Sequence, residues 1–372
     1  RPGTGLPGYP GVNRYLARSW LLVDPARGDW RARFSGAGNA IRAVDIGHPV
    51  ALQAALAAAL GDTPRLNAAL TSARLTDAGE TVLIGLFAPR STQRWPGNVK
   101  KLKRVDRDGD GRKESLVGAD GRSAVTPDGT SLAFDTLTWW TEAAHLPSGD
   151  GLRVPVSTDG ATVDRGGAGQ RIPGFTGAPG AGRIGMRNSD PGARQVFREP
   201  PAGALDQPWA ALDADPRTAA LLRQRLGAED EAQALALLRW ARGQDVDDED
   251  LDASTVDSRP WLLGEVLHSR PVLINYGAVR GYSRENPDVR VVFGAGDGAL
   301  HMLRDTDPAG RESGVEQFAF YPDESLARLR LWREDTASSR RKYYGVDGEV
   351  AVYTDDRNGD GNLDHRDGDR VH

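Results

Sequence analysis

Cysteine is absent from the 372 residues, which excludes disulfides, thiolate catalysis and any zinc site built on cysteine. The absence leaves the compartment open, because an exported protein can also do without cysteine. No apolar run approaches the ~20 residues that cross a bilayer as a helix, and the first residues do not read as a secretory leader. A basic surplus is missing as well: 47 Lys and Arg stand against 52 Asp and Glu, for a net charge of -5 and a pI near 5.8. That balance argues against a dedicated nucleic-acid binder, which needs a cationic footprint for phosphates. Nucleophile elbow, HExxH pair, P-loop and Cys/His set are all lacking, so the familiar catalytic signatures have no foothold.

What is present points to a turn-rich β protein. Glycine reaches 45 and proline 23, and 39% of residues are hydrophobic, enough for a sizeable core in one large or two smaller domains. Nine Trp suit a large β scaffold. The chain opens on Arg1 rather than Met and reads as a processed product or a piece of something longer.

Short apolar runs at 271–276, 289–293, 299–303, 317–321 and 350–354 are bounded by Gly, Asn, Asp and Pro, the look of strands. Gly294-Ala295-Gly296-Asp297-Gly298 lies between two of them. Asp-Gly at that place is a hairpin signal, because the turn needs positive φ. Strands at this rhythm fit a propeller blade or a sandwich. Earlier, 20–23 and 81–87 read as strands and 51–60 as an Ala/Leu-rich helix, with Asp62-Thr63-Pro64 as the cap of another. Residues 94–104 alternate Lys and Arg with apolar residues, the pattern of a basic patch for nucleic acid or of one solvated strand face, and the overall acidity favours the second. From 135 to 201 the chain is rich in Gly, Pro and Arg and reads as loops. Residues 218–226 and 231–243 read as amphipathic helices. The acidic run 247–252 reads as a solvated linker or a cation site, and Arg27-Gly28-Asp29 as a solvated turn or an integrin-type tripeptide.

Two acidic loops carry pointed chemistry. A hard cation takes oxygen ligands, and an EF-hand-type loop supplies them from positions 1, 3, 5, 7 (a carbonyl), 9 and 12, with Gly at 6. In the first loop Asp106, Asp108 and Asp110 fill the side-chain places, Gly111 the turn, Arg112 the carbonyl and Glu114 position 9, while Val117 stands at 12. A plain hairpin tip fits these residues too. In the second loop Asp356, Asn358, Asp360, Asp364 and Asp367 stand at 1, 3, 5, 9 and 12, with Gly361 at 6 and the carbonyl of Asn362 at 7. Apolar Leu363 at position 8 can anchor this loop to the body. Ca²⁺ suits both better than Mg²⁺, which demands tighter octahedral geometry, and the second loop is the stronger expectation. His268 and His301 flank the Gly-Asp-Gly hairpin. A base or ligand pair is one reading, and hydrogen-bonded structural residues the other.

Several stretches resemble the β-propeller of PilY-type tip adhesins of bacterial type IV pili. They are Arg94-Trp95-Pro96-Gly97-Asn98-Val99-Lys100, the helix end Leu238 to Asp245, Trp261-Leu262-Leu263-Gly264-Glu265, His268-Ser269-Arg270-Pro271, and Phe293 to His301. The likeness runs from about residue 86 to the end and is thin between 104 and 238. It implies a mostly β fold, a quinoprotein-like β-propeller or part of one, with a helical insertion. In that organisation 1–85 leads into the propeller, 86–204 gives its first strands and a loop-rich insertion, 205–252 is helical and acidic, and 253–372 holds blades and the calcium loop. The resemblance further implies Ca²⁺, no catalysis, export to the pilus tip or cell surface, and minor pilins as partners, with host or abiotic surfaces beyond them. Pilus biogenesis, twitching motility and adhesion would follow. PilY-type chains continue past this loop and commonly carry a von Willebrand A-like site, whose Asp-x-Ser-x-Ser pattern Asp252-Ala253-Ser254-Thr255 does not fit. The rival class is a quinoprotein-like dehydrogenase, but those enzymes commonly use paired cysteines beside the cofactor.

Overall fold

The computed structural model describes residues 80–127, 132–133, 135–146, 158–172, 194–200, 209–249, 251, 253–336 and 342–372, plus four short strands before residue 80. The helix expected at 51–60, the cap at 62–64 and Arg27-Gly28-Asp29 lie outside the described residues. Two compact units divide the chain, Arg1–Leu66 and Asn67–His372. In the first, β1 (Leu22–Val23), β2 (Arg31–Ser35) and β3 (Ile41–Asp45) form a small antiparallel sheet in that order.

The second unit is built on two larger sheets. β4 (Ala73–Leu75), β5 (Thr81–Phe87), β6 (Gly97–Val105) and β7 (Ser115–Val117) pair in sequence order as a four-stranded antiparallel meander. The other sheet contains β8 (Val196–Arg198), β9 (Ala210–Ala211), β10 (Val272–Asn275), β11 (Val289–Gly294), β12 (Leu300–Arg304) and β13 (Glu316–Tyr321). Its order is β10-β11-β12-β13-β8-β9, so a second four-stranded meander is extended by β8, parallel to β13, and then by β9. The Gly-Asp-Gly hairpin joins β11 to β12 in the expected place, with Phe293 opposite His301. A pair of two-residue strands, β14 (Thr354–Asp355) and β15 (Arg370–Val371), closes the chain.

Each sheet buries apolar side chains against the other. Leu83 and Val99 of one meet Val291, Phe293 and Leu303 of the other in a single cluster, together with Trp140, Leu262 and Leu263. β5 is almost wholly apolar and buried along its length, as a strand covered on both faces should be. Helices cover the rest of the inner face of the second sheet, where the register sets Ala319 on the same side as Phe293 and His301. α1 (Gly167–Gln170) lies against β6, while α2 (Pro216–Leu222), α3 (Glu231–Arg242), α4 (Asp323–Leu326) and α5 (Leu329–Glu334) pack Leu222, Leu237, Leu238 and Trp332 on Ala319 and Tyr321. Both amphipathic helices start on an aspartate cap: Asp215 accepts from the Thr218 N–H and Asp230 from the Gln233 N–H. α3 ends on Gly243 at φ 105°, the left-handed position that favours glycine.

Three expectations need correction. Among the described residues the sheets are open, with more strand than helix, and no closed propeller is present. Two four-stranded meanders fall short of the 4–8 blades that close such a ring. Of the run at 350–354, Tyr353 and Thr354 pair with His372 and Val371, while Val350 and Val352 pack as irregular chain on Ile274 and Val292. The basic alternation of β6 is not a solvated face either. Lys100 and Lys101 are among the largest fully buried side chains. Lys100 Nζ donates to the carbonyls of Asp159 and Arg165 and to Asp159 Oδ2 at 2.6 Å. Asp159 also accepts from the Thr138 N–H and hydroxyl, so the pair is fully hydrogen-bonded. Lys101 reaches Asp305 and Glu312, at 2.6 and 2.7 Å.

Lys100→Met strands a buried carboxylate, and removing one partner of such a pair costs about 3–5 kcal/mol. Lys103→Met, at a side chain one-third exposed, costs under about 1 kcal/mol. Urea unfolding midpoints of the two variants check this, and equal losses would contradict it.

Candidate metal loops and a buried charge cluster

The first acidic loop is the connection between β6 and β7. Asp106 stands at its entry, where the strand delivers it half-buried, and the tip beyond is solvent-exposed. Asp106 Oδ1 accepts from the Gly109 N–H at 2.7 Å and Oδ2 from the Gly111 N–H at 2.8 Å. Asp108 then accepts from the Asp110 N–H and Asp110 from the Arg112 N–H. Gly109 and Gly111 take φ of 78° and 85°, with open space where a side chain would stand, so both are glycine for their backbone angle. The Gly111 N–H, more than any other group, holds the Asp106 carboxyl below its ordinary range. Asp106, Asp108 and Glu114 each place an oxygen within 4.8 Å of the others. The Asp110 carboxylate sits outside that group, its Oδ2 3.9 Å from Arg112 Nε.

The second loop links β14 to β15 and repeats the same local pattern. Asp356 accepts from the Gly359 and Gly361 N–H groups at 2.8 and 2.9 Å, Asn358 from Asp360, and Asp360 from Asn362. The Asn362 N–H lowers the Asp360 pKa. Leu363 is the anchor that its position foretold: it is buried against Ile274 and Val292, and its N–H donates to the Tyr276 carbonyl. The Asn362 side chain adds a second tether by accepting from the Ala278 N–H at 2.7 Å.

The far end of this loop differs from expectation. Asp364 accepts from the Arg366 N–H as a helix cap, and Asp367 Oδ2 lies 3.4 Å from Asn358 Nδ2. No three carboxylates here come within the reach seen around Asp106. Closure falls to Asp369, which the spacing argument passed over. It is buried, and its two oxygens accept from the Arg357 and Asp364 N–H groups, both at 2.9 Å. The one signal for it in sequence is an acidic residue just ahead of the two-residue strand Arg370–Val371. Among the described residues three carboxylates converge in the first loop, while the second adds Asp369 to a hydrogen-bond pattern that both loops share.

The two histidines separate into different roles. His268 is exposed, its ring Nδ1 2.6 Å from Asp347. His301 is fully buried between Glu316 at 2.8 Å and Asp297 at 3.0 Å, and Glu316 is gripped in turn by Arg194. Burial alone would lower the His301 pKa, but Asp297 and then Glu316 overcome it and push it up to about 9. Burial likewise opposes Glu316, yet Arg194 and His301 hold it down to about 2. Nearby, burial pushes the Glu265 carboxyl up to about 7 despite Lys342 Nζ at 2.6 Å. Every member of the His301 cluster has a charged partner, the mark of a structural network. The acidic run near 247 is likewise engaged, with Asp247 bidentate to Arg333 and Glu249 paired with Arg94.

Comparison with family models, with curated proteins and with solved structures returned no match.

His301 fixes a pH dependence. Its folded pKa of about 9 lies above the ordinary 6.5, so its contribution is complete below 6.5 and is lost as pH rises through 9. Glu316, lowered from 4.5 to about 2, contributes fully above 4.5 and loses this as pH falls toward 2. Stability by urea unfolding should therefore decline from pH 6.5 to 9, and His301→Gln should flatten that decline. A wild-type profile that rises over this window would contradict the assignment.

Proposed function

We propose that this chain is a non-enzymatic, calcium-binding β scaffold, a quinoprotein-like propeller segment of a PilY-type pilus tip protein. The observation that carries the metal reading is the convergence of Asp106, Asp108 and Glu114 on one point of a loop already shaped by the Asp106 hydrogen bonds. Carboxylates brought together on an exposed hairpin tip are suited to a hard divalent cation. When bound, the cation would neutralise the mutual repulsion of these carboxylates; Asp106, Asp108 and Glu114 would hold it. The second loop offers the right donor types at Asp356, Asn358, Asp360 and Asp364, but closes through Asp369.

The propeller reading draws support from two four-stranded meanders stacked face to face through one apolar cluster, the relation of neighbouring blades. The outer face of the second sheet adds to it. Phe197, Trp209, Phe318 and Phe320 cluster there, with Trp209 42% exposed, on a surface that a further blade would cover. The pilus role itself rests on the resemblance of the Trp95–Lys100, Trp261–Glu265 and Phe293–His301 stretches. In that role the chain is exported and meets minor pilins and a surface. Calcium acts as a stabiliser: a ligand that binds the folded form alone adds about 2.7 kcal/mol at a hundred times its Kd.

Calorimetric titration with calcium tests the reading. The wild type should release or absorb heat saturably, Asp108→Ala should abolish the stronger event, and Asp360→Ala should leave it in place. A wild type without heat, or heat indifferent to Asp108→Ala, would overturn it.

A further inference from the structure

Asn358-Gly359 is the one Asn-Gly dipeptide in the sequence, and both residues lie exposed at the tip of the second acidic loop. Asparagine before glycine is chemically vulnerable because no side chain shields the following backbone nitrogen. No atom lies within 4 Å of the place a Gly359 side chain would take, so approach to that nitrogen is open from this side. We propose that Asn358 is a deamidation site whose conversion the Asp356 carboxylate restrains.

The step balances with water as the co-reactant. The Gly359 nitrogen loses its proton and attacks Asn358 Cγ; a ring C–N bond forms, the Cγ–Nδ2 bond breaks, and ammonia leaves. Water then opens the succinimide at either carbonyl, leaving aspartate or isoaspartate at position 358. Nothing is oxidised or reduced. The restraint is visible in the hydrogen bonds. The Gly359 N–H that must be given up is donated to Asp356 Oδ1 at 2.8 Å. The Asn358 amide is held at both ends, its oxygen accepting from the Asp360 N–H at 3.0 Å and its nitrogen 3.4 Å from Asp367 Oδ2. A nitrogen bonded to a carboxylate is a poor nucleophile, and a negative charge beside it opposes the loss of its proton.

The product matters to the loop. Aspartate at 358 would give the second loop the same Asp-x-Asp-x-Asp-Gly run as Asp106 to Gly111, and ligand charge is a determinant of affinity in such loops. Isoaspartate would lengthen the backbone by a methylene and dislodge the Asp356 and Asp360 contacts. The modification thus either strengthens the loop for a cation or dismantles it.

The test is mass spectrometry of the full chain, digested after incubation at mildly alkaline pH in chelator, so that it is independent of metal binding. The peptide holding Asn358 should gain the mass of oxygen for NH. Native wild type should convert about tenfold or more slowly than urea-unfolded wild type, the factor a charge-assisted hydrogen bond can supply. Asp356→Ala should speed native conversion toward the unfolded rate, and Asn358→Gln should abolish the mass gain. Equal rates in native and unfolded wild type, or a mass gain that survives Asn358→Gln, would overturn the proposal. The native-to-unfolded comparison stands even where Asp356→Ala disturbs the loop.

Discussion

The two sheets of the larger unit meet where three glycines leave room, two for backbone to touch backbone and one for the Glu265 carboxyl. A side chain on Gly97 would stand 1.9 Å from the Gly264 carbonyl, one on Gly264 2.2 Å from the Asp297 nitrogen, and one on Gly296 2.0 Å from the Glu265 carboxyl. Hydrogen bonds follow the same line: Gly97 N–H to Leu263, Trp261 Nε1 to Gly97, Gly296 N–H to Glu265. β6, the 261–266 segment and the β11–β12 hairpin are thereby joined in one column. The apolar cluster of Leu83, Val99, Phe293 and Leu303 closes around it. Any side chain at these glycines would force the sheets apart and open that core.

This contact explains why the stretches that carry the family resemblance are not scattered. Trp95 to Lys100, Trp261 to Glu265 and Phe293 to His301 lie far apart in sequence, yet they meet at this junction. Asn98 adds to it by donating to the Val163 and Gly166 carbonyls and accepting from the Gly169 N–H, which pins α1 in place. Lys100, two residues on, neutralises Asp159 beneath the same helix. The motif residues are thus engaged in assembly, and solvent-facing chemistry is left to the hairpin tips. The Asp106 loop, at the far end of β6, inherits its rigidity from a strand fixed along its length.

Much of this was legible in sequence where local chemistry decides. The runs at 81–87 and 289–293 are apolar enough to be strands anywhere, Asp-Gly sets the hairpin, and Asp230 with Gly243 brackets α3. The Asp-x-Asp-x-Asp-Gly run and its Asp-x-Asn-x-Asp-Gly counterpart also set their own turns, since each of these side chains accepts from an N–H two to five residues ahead. What depended on distant partners was not legible. Lys100 and Lys101 read as solvated because Asp159, Asp305 and Glu312 lie 59 to 211 residues away. Asp369 falls outside the twelve-residue loop pattern, and it closes the loop through the Arg357 and Asp364 N–H groups. Val350 and Val352 alternate as a strand would, but pack on a sheet face without a pairing partner.

The central proposal is that the β6–β7 loop, carried on a junction-fixed strand, binds a cation. Hydrogen exchange of the full chain, followed by mass spectrometry with calcium and with chelator, tests it most directly. Calcium should slow exchange across residues 106–117 well beyond any change at 356–369, because the first loop gathers its ligands and the second is already closed by Asp369. Protection confined to 356–369, or none in either loop, would contradict the account.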